Sequence, residues 1–378
     1  MKETIKLCFK KIDITILIIM TILIGIGLYC VRQAFYLSDH MTLDILKQGA
    51  GIFLGYFLIL VIILIDYHFI CSLSPILYIG INLILVYTLI FGTEVNYVKR
   101  WITIMGIQIQ PSELTKIVLI IVITYACNQL RNKMDKLYTL FILGALVGIP
   151  MVLILLEPHL SSTLSIIFIF LVLVYSSGIH YKVIGKTLAI VVPIVAGLFI
   201  SVAVFDADIP FIEKYQVNRI LSFLSDDESE SLSGAYQQLQ SIGAISSGGL
   251  QGKMLLNDGD TRNYSRIYAK ESDFVFAIVG EEFGFIGSFM IIVLYAILIL
   301  RCLIVAGAAT DYEGRLICIG VASYLMFQVF VNIGVATNLI PNTGLPLPFI
   351  SNGLTSLVSS MAAVGLVLNV QIRQRGRV

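Results

Sequence analysis

Asp273 opens the hydrophobic run Phe274-Val275-Phe276-Ala277 at the end of a 67-residue polar stretch, Asp206–Ser272. Glu281 and Glu282 follow on the same run. A carboxylate at the edge of an apolar helix can be tuned by partial desolvation to take a proton as a general base. The plainer reading of Asp273 is an acid that complements the positive end of a helix dipole. Its neighbours argue for chemistry, since ionisable groups inside a membrane segment are costly and mark functional positions.

A second cluster is Gln110-Pro111-Ser112-Glu113-Leu114-Thr115-Lys116. Pro111 suits the first position of a helix and Glu113 suits its positive end, but Lys116 is a cation in the wrong turn. Glu113 and Lys116 form either an i, i+3 pair, worth roughly 0.2–0.5 kcal/mol on an exposed helix, or part of an anion site. In the second case a helix N-terminus and a lysine face a phosphate together. Arg100 offers a further cation just upstream, beside Trp101, which reads as an interfacial anchor. In Glu157-Pro158-His159 the histidine reads as a hydrogen-bonded turn residue rather than a catalyst.

Tyr236-Gln237-Gln238-Leu239-Gln240-Ser241 leads into Ser246-Ser247-Gly248-Gly249-Leu250-Gln251-Gly252-Lys253. That glycine-rich piece has no Walker pattern and no preceding strand, which argues against a nucleotide site. Its glycines are expected to allow a tight turn over a ligand. Asn338–Pro348 is uncharged and holds Pro341, Pro346 and Pro348, so it reads as a rigid cap leading into Phe349-Ile350-Ser351.

The elements that must position these residues are membrane helices. The 378 residues are 58% hydrophobic and 13% charged, with a mean hydropathy of +0.93. Soluble domains carry about 25% charged residues, so a soluble globule is excluded. Runs long enough to span a bilayer centre on 13–31, 47–66, 72–92, 112–129, 137–157, 160–178, 184–205, 273–304, 315–337 and 350–371. The expected fold is all-α and polytopic, with about ten transmembrane helices in one domain, residues 1–378, and one long loop over 206–272. The 273–304 run exceeds one span and is expected to break near Gly284-Phe285-Ile286-Gly287. The first run follows four lysines without a small-residue cleavage site and reads as a retained span. Six cysteines without paired spacing and four scattered histidines suggest neither a disulfide framework nor a metal site.

Lysine and arginine bias sets the expected orientation. With the N-terminus inside, fourteen basic residues fall on inner segments and four, Arg32, Lys47, Lys99 and Arg100, on short outer ones. Both termini are then cytoplasmic, and the long loop and the Lys99–Gln110 hairpin are extracytoplasmic. The loop carries ten acids and six bases, a net of −4, as suits an exported segment.

In order and spacing these motifs resemble the SEDS family of polytopic cell-wall polymerases (RodA, FtsW, SpoVE) over nearly the whole chain. The likeness rests on Arg100-Trp101, Gln110-Pro111-Ser112-Glu113 with Lys116, Glu157-Pro158-His159-Leu160, Arg219-Ile220 with Phe223-Leu224, and Tyr236-Gln237 with Gln240-Ser241. It continues through Gly248-Gly249 with Gly252, Ser272-Asp273-Phe274, Glu281-Glu282 with Gly284, and Pro346-Leu347-Pro348-Phe349-Ile350-Ser351.

The resemblance implies a peptidoglycan glycosyltransferase that polymerises lipid II at the outer face of the cytoplasmic membrane, beside a class B penicillin-binding protein. It implies Asp273 as the base of an inverting transfer. Lys116, Arg100, Glu113, Tyr236, Gln237, Gln240, Ser241 and Glu281 are expected on the substrate side. No cofactor is expected in the protein, and Mg²⁺ would ride on the substrate pyrophosphate. Nucleic acid is not an expected partner. The chain departs from the family pattern at Ile267-Tyr268-Ala269, where an acid is missing, at Gln108 in place of arginine, and at Asn352-Gly353-Leu354. Two other readings stay open here, a flippase for lipid-linked precursor and a catalytically weak scaffold for the transpeptidase.

Overall fold

A chain in lipid must satisfy its backbone hydrogen bonds within each segment, and helices account for most of the described architecture. The computed structural model describes residues 12–36, 41–95, 98–104, 106–134, 136–179, 185, 234–254 and 262–374. The expected span over 184–205, the Arg219-Ile220 and Phe223-Leu224 motifs and most of the basic termini lie outside these residues.

In chain order the helices are α1 (Ile14–Ala34), α2 (Met41–Leu64), the short α3 (Tyr67–Ser72) and α4 (Ser74–Phe91). A small antiparallel sheet, β1 (Thr93–Val95), β2 (Val98–Ile104) and β3 (Ile107–Ile109), follows in the order β1-β2-β3. Then come α5 (Pro111–Gln129), α6 (Leu137–Leu156), α7 (Leu160–Ser176), α8 (Gly234–Ser247), α9 (Val275–Ala308), α10 (Tyr312–Ala336) and α11 (Leu354–Gln374). Eight of these are long and apolar enough to cross a membrane. At 17 residues α7 is about 25 Å long, short of a 30 Å hydrocarbon core.

The expected spans agree with these helices to within four residues, except at the start of α2. There Lys47 and Gln48 read as a boundary, yet the helix begins at Met41. Lys47 pairs with Asp44 at 3.6 Å, and the buried Gln48 reaches the Ser351 carbonyl at 3.4 Å.

Local chemistry sets several ends. The Asp13 side chain accepts from Thr15 N–H to cap α1, Asp311 accepts from Gly314 N–H to cap α10, and Pro111 starts α5. In the sheet Glu94 pairs with Lys99, and Ile102 with Ile109.

Burial follows polarity. The α11 helix carries Ser356, Ser359, Ser360 and Asn369, and 94% of its membrane-length window is enclosed by other helices. Only 22% of the more apolar α4 is covered. A helix with polar groups needs protein partners in a bilayer, whereas an apolar one can face lipid.

The long loop is not a simple strap. It contains α8 and the glycine-rich turn over 248–254, and this turn packs on α9. The α9 helix breaks at Gly284 (φ 65°, ψ −166°), in the stretch where a break is expected. Lys253 and Met254 N–H donate to the carbonyls of Glu281 and Glu282 at 2.9 Å each. In return Phe285 and Ile286 N–H donate to Gly249 and Leu250 carbonyls at 2.9 and 3.2 Å. The turn thus satisfies the backbone groups that the break leaves open. Such close approach requires glycine: a Cβ at Gly252 (φ 77°) would lie 2.1 Å from the Glu282 carbonyl oxygen.

Candidate active site

The turn Glu271–Asp273 meets the loop Asn338–Ile350 at one end of the bundle. Asp273, half-buried, lies just before α9, and its N–H donates to the Ala269 carbonyl at 3.1 Å. Its carbonyl accepts 2.9 Å from Asn332 Nδ2 on α10, and the same nitrogen donates 2.7 Å to the Leu345 carbonyl. Ser351 Oγ donates to the Ser272 carbonyl at 2.6 Å, and Asn352 N–H to that of Glu271 at 2.7 Å. The Asp273 carboxylate faces Gly344 (φ 74°), where a Cβ would stand 3.3 Å from Oδ2. The acid is therefore presented by a turn whose backbone is held from two sides.

The proline-rich loop is non-helical, as its composition suggests, and is tied to its neighbours. Tyr295 donates its hydroxyl to the Pro348 carbonyl, Ser161 donates to that of Thr343, and Gly27 of α1 packs against the backbone at Phe349 and Ile350. Through Ser161 the loop touches the start of α7, and through Asn332 the last turns of α10.

Lys116 and Glu113 pair at 2.7 Å, and both are fully buried. Gln328 of α10 reaches Glu113 Oε2 at 3.4 Å, and the ammonium lies 5.5 Å from the Tyr324 ring centroid. The pair is thus an interior one rather than the exposed i, i+3 pair of the simpler reading. Contact between Lys116 and a phosphate requires the bundle to open around it. Arg100, on β2, donates from Nε to the Glu157 carbonyl at 2.9 Å and also to that of Pro158, which ties the sheet to the α6–α7 turn.

His159, buried at the start of α7, pairs with Ser112 Oγ at 3.2 Å. Burial and the nearby charges of Arg100 and Lys116 push the imidazole well below its usual range. It stands at the turn between α6 and α7, paired with Ser112. Both carboxylate oxygens of Glu157 are buried without a hydrogen-bond partner among the described residues. Burial pushes this carboxyl up to about 8, against the pull of Arg100.

The remaining expected residues separate into two groups. Tyr236 is exposed, and Gln237 and Gln240 are half-buried on α8. Ser241 instead turns inward and donates to the Ala336 carbonyl at 2.7 Å, while Gln238 donates to those of Val335 and Ile340 at 3.1 and 2.8 Å. Together they tie α8 to the carbonyls at the end of α10 and in the loop that follows it.

Glu281 is fully buried and accepts from Lys253 Nζ at 2.7 Å, Ser247 Oγ at 3.1 Å, and the N–H groups of Asn263 and Tyr264 at 3.0 and 2.9 Å. Glu282 accepts from Arg262, Tyr264 and Tyr29 at 3.0, 3.0 and 3.1 Å. These acids anchor the long loop to α9. Asn332, Gln328 and Gly344 were not apparent as site residues. The two amides could have been found as polar residues inside an apolar span, but nothing local marks Gly344. Among the described residues no group of three or more His, Cys, Asp or Glu could hold a metal ion.

The fold defines a polytopic helical membrane protein. The family of FtsW, RodA and SpoVE, described as cell cycle proteins, matches residues 11–376, and the chain belongs to that family. It is 30% identical to the probable peptidoglycan glycosyltransferase FtsW of Geobacter metallireducens, with 100% of both chains covered. It is also 30% identical to the peptidoglycan glycosyltransferase MrdB of Escherichia coli K12, covering 80% of this chain and 78% of that one. A solved chain from a peptidoglycan synthase complex that coordinates polymerization and crosslinking shares the fold at a TM-score of 0.78. It is 26% identical, with 96% of this chain and 98% of that one covered. The rod shape determining protein RodA of Thermus thermophilus, 24% identical, superimposes at a TM-score of 0.66 over 95% of this chain and 96% of its own.

Proposed function

We propose that Asp273 is the general base with which this chain polymerises lipid II at the outer face of the cytoplasmic membrane. The chain is a peptidoglycan glycosyltransferase of bacterial cell-wall synthesis. The observation that carries the assignment of the base is the setting of Asp273. It is a half-buried carboxylate on a turn fixed by Asn332 and Ser351 and facing a glycine.

The reaction is a single displacement. Asp273 accepts the proton of the 4-hydroxyl of the acceptor's GlcNAc as that oxygen attacks the anomeric carbon of the donor's MurNAc. The new C–O bond forms as the bond to undecaprenyl pyrophosphate breaks, and the configuration inverts. The proton then passes from Asp273 to water. Fixing the carboxylate in advance removes reorganisation from the barrier. Charge developing on the departing pyrophosphate calls for cations or helix N-termini. Lys116 at the start of α5 fills that role once the outer end opens, with Arg100 beside the same end. Mg²⁺ would be held by the phosphate oxygens of the substrate rather than by protein ligands.

In this reading α8, with Tyr236, Gln237 and Gln240 on accessible positions, lines the outer approach for the sugar–peptide head. The orientation that places both termini inside follows from the basic bias of the loops. A class B penicillin-binding protein is the partner that would crosslink the product, a reading supported by the neighbour from a synthase complex.

Purified parent and Asp273→Asn chains, given lipid II with and without the transpeptidase, test the proposal. Glycan strands from the parent alone are expected. Strands from the variant at the parental rate would remove Asp273 as the base.

A further inference from the structure

The far end of α10 holds a second polar centre. Tyr312 and Asn332 are separated by 20 residues, about 30 Å of helix. Beside Tyr312 a cavity of about 370 Å³ opens among His68, Asn128, Arg131, Asp311, Glu313 and Arg315. It draws on α3, the α5–α6 connection and the start of α10, and it plays no part in the chemistry at Asp273.

Its acids are already satisfied. Asp311 accepts from Gly314 N–H at 2.9 Å and from the Tyr67 hydroxyl, and lies 3.5 Å from His68 Nε2. Glu313 is buried and accepts from Asn128 Nδ2 at 2.6 Å. The bases are not. Arg131 and Arg315 are both exposed, and among the described residues Arg131 meets only the Tyr312 ring, 4.8 Å from its centroid. Among the described residues the Arg315 guanidinium has no hydrogen-bond or ion-pair partner. The open donors of the cavity are therefore cationic and the carboxylates are part of its wall.

We propose that this cavity binds a phosphate group between Arg131 and Arg315. Guanidinium forks match phosphate oxygens two at a time, and the positive end of the 25-residue α10 helix adds to the field. The site lies where the spanning helices α5, α9 and α10 end, the depth of lipid headgroups. A phospholipid headgroup and free phosphate share this chemistry.

The test uses the full chain in neutral detergent, washed free of lipid, and reads the thermal unfolding midpoint against ligand concentration. The probes are dioctanoyl phosphatidylglycerol, dioctanoyl phosphatidylcholine and inorganic phosphate. A saturable rise with phosphatidylglycerol and none with phosphatidylcholine is expected. Its apparent affinity should weaken about tenfold in Arg315→Ala and vanish in Arg131→Ala/Arg315→Ala. A rise with inorganic phosphate that the double variant abolishes also supports the site and assigns it to soluble phosphate. No rise with either anion overturns the proposal, as does a rise that the double variant keeps. Arg315→Ala removes no side-chain hydrogen bond or ion pair among the described residues, so its unliganded midpoint is expected to equal that of the parent.

Discussion

Asn332 holds Asp273 from behind. A single amide nitrogen donates to the Asp273 carbonyl at 2.9 Å and to that of Leu345 at 2.7 Å, which ties the turn bearing the acid to the loop that faces it. One helical turn earlier, Gln328 contacts Glu113. The α10 helix thus links the acid to the buried ion pair through two amides on one face.

Asn332→Ala leaves two carbonyls without their donor, at about 1–3 kcal/mol. Polymerisation of lipid II is expected to slow about tenfold or more, with the loss in kcat rather than KM. An unchanged turnover number would show that the turn holds without the amide.

Gly344→Ala adds a methyl group 3.3 Å from Asp273 Oδ2 at a φ of 74°. Left-handed backbone costs a residue with a side chain roughly 1–2 kcal/mol, which a protein of this size should tolerate. The variant is expected to fold and to lose most of its polymerising activity. Circular dichroism beside the lipid II assay checks both halves.

Lys116→Met leaves Glu113 charged and unpaired in the interior. Breaking a buried pair costs roughly 3–5 kcal/mol, so the thermal midpoint in detergent should fall sharply. Glu113→Leu/Lys116→Met should regain most of it. If that double variant is stable yet inactive, Lys116 acts on the donor; if it is stable and active, the pair is structural.

Glu157 predicts a pH dependence. Its folded-state value of about 8 lies above the ordinary 4.5, so the folded state keeps a proton that the unfolded state releases. Stability from this residue therefore falls as pH rises from about 4.5 to about 8. Glu157→Gln should raise the thermal midpoint above that of the parent at pH 8, and the gap should shrink by pH 5. A constant gap would mean that the carboxyl does not titrate in this window.

Glu281→Gln tests loop anchoring against substrate contact. Four donors converge on this carboxylate, so a lower midpoint and faster proteolysis within the long loop are expected. An unaltered midpoint with a raised KM for lipid II would return Glu281 to the substrate side.

The sequence by itself determined what composition and short-range pattern encode. Apolar runs of bilayer length specify the helices of an all-α membrane protein, because lipid leaves the backbone no other partner. The break at Gly284, the proline start of α5 at Pro111 and the place of Asp273 before α9 are local properties and were legible in the same way. The tertiary structure decided which way each polar side chain faces. Ser241 and Gln240 are neighbours in sequence, yet Ser241 caps α10 while Gln240 stays half-buried on α8. Likewise, spacing alone cannot distinguish an exposed Glu113–Lys116 pair from one enclosed by Gln328 and Tyr324. The pairing of Asn332 with Asp273 spans 59 residues, and it exists because two helix ends and a proline-rich loop converge in space. Such contacts depend on helix packing between distant segments, which no local periodicity carries.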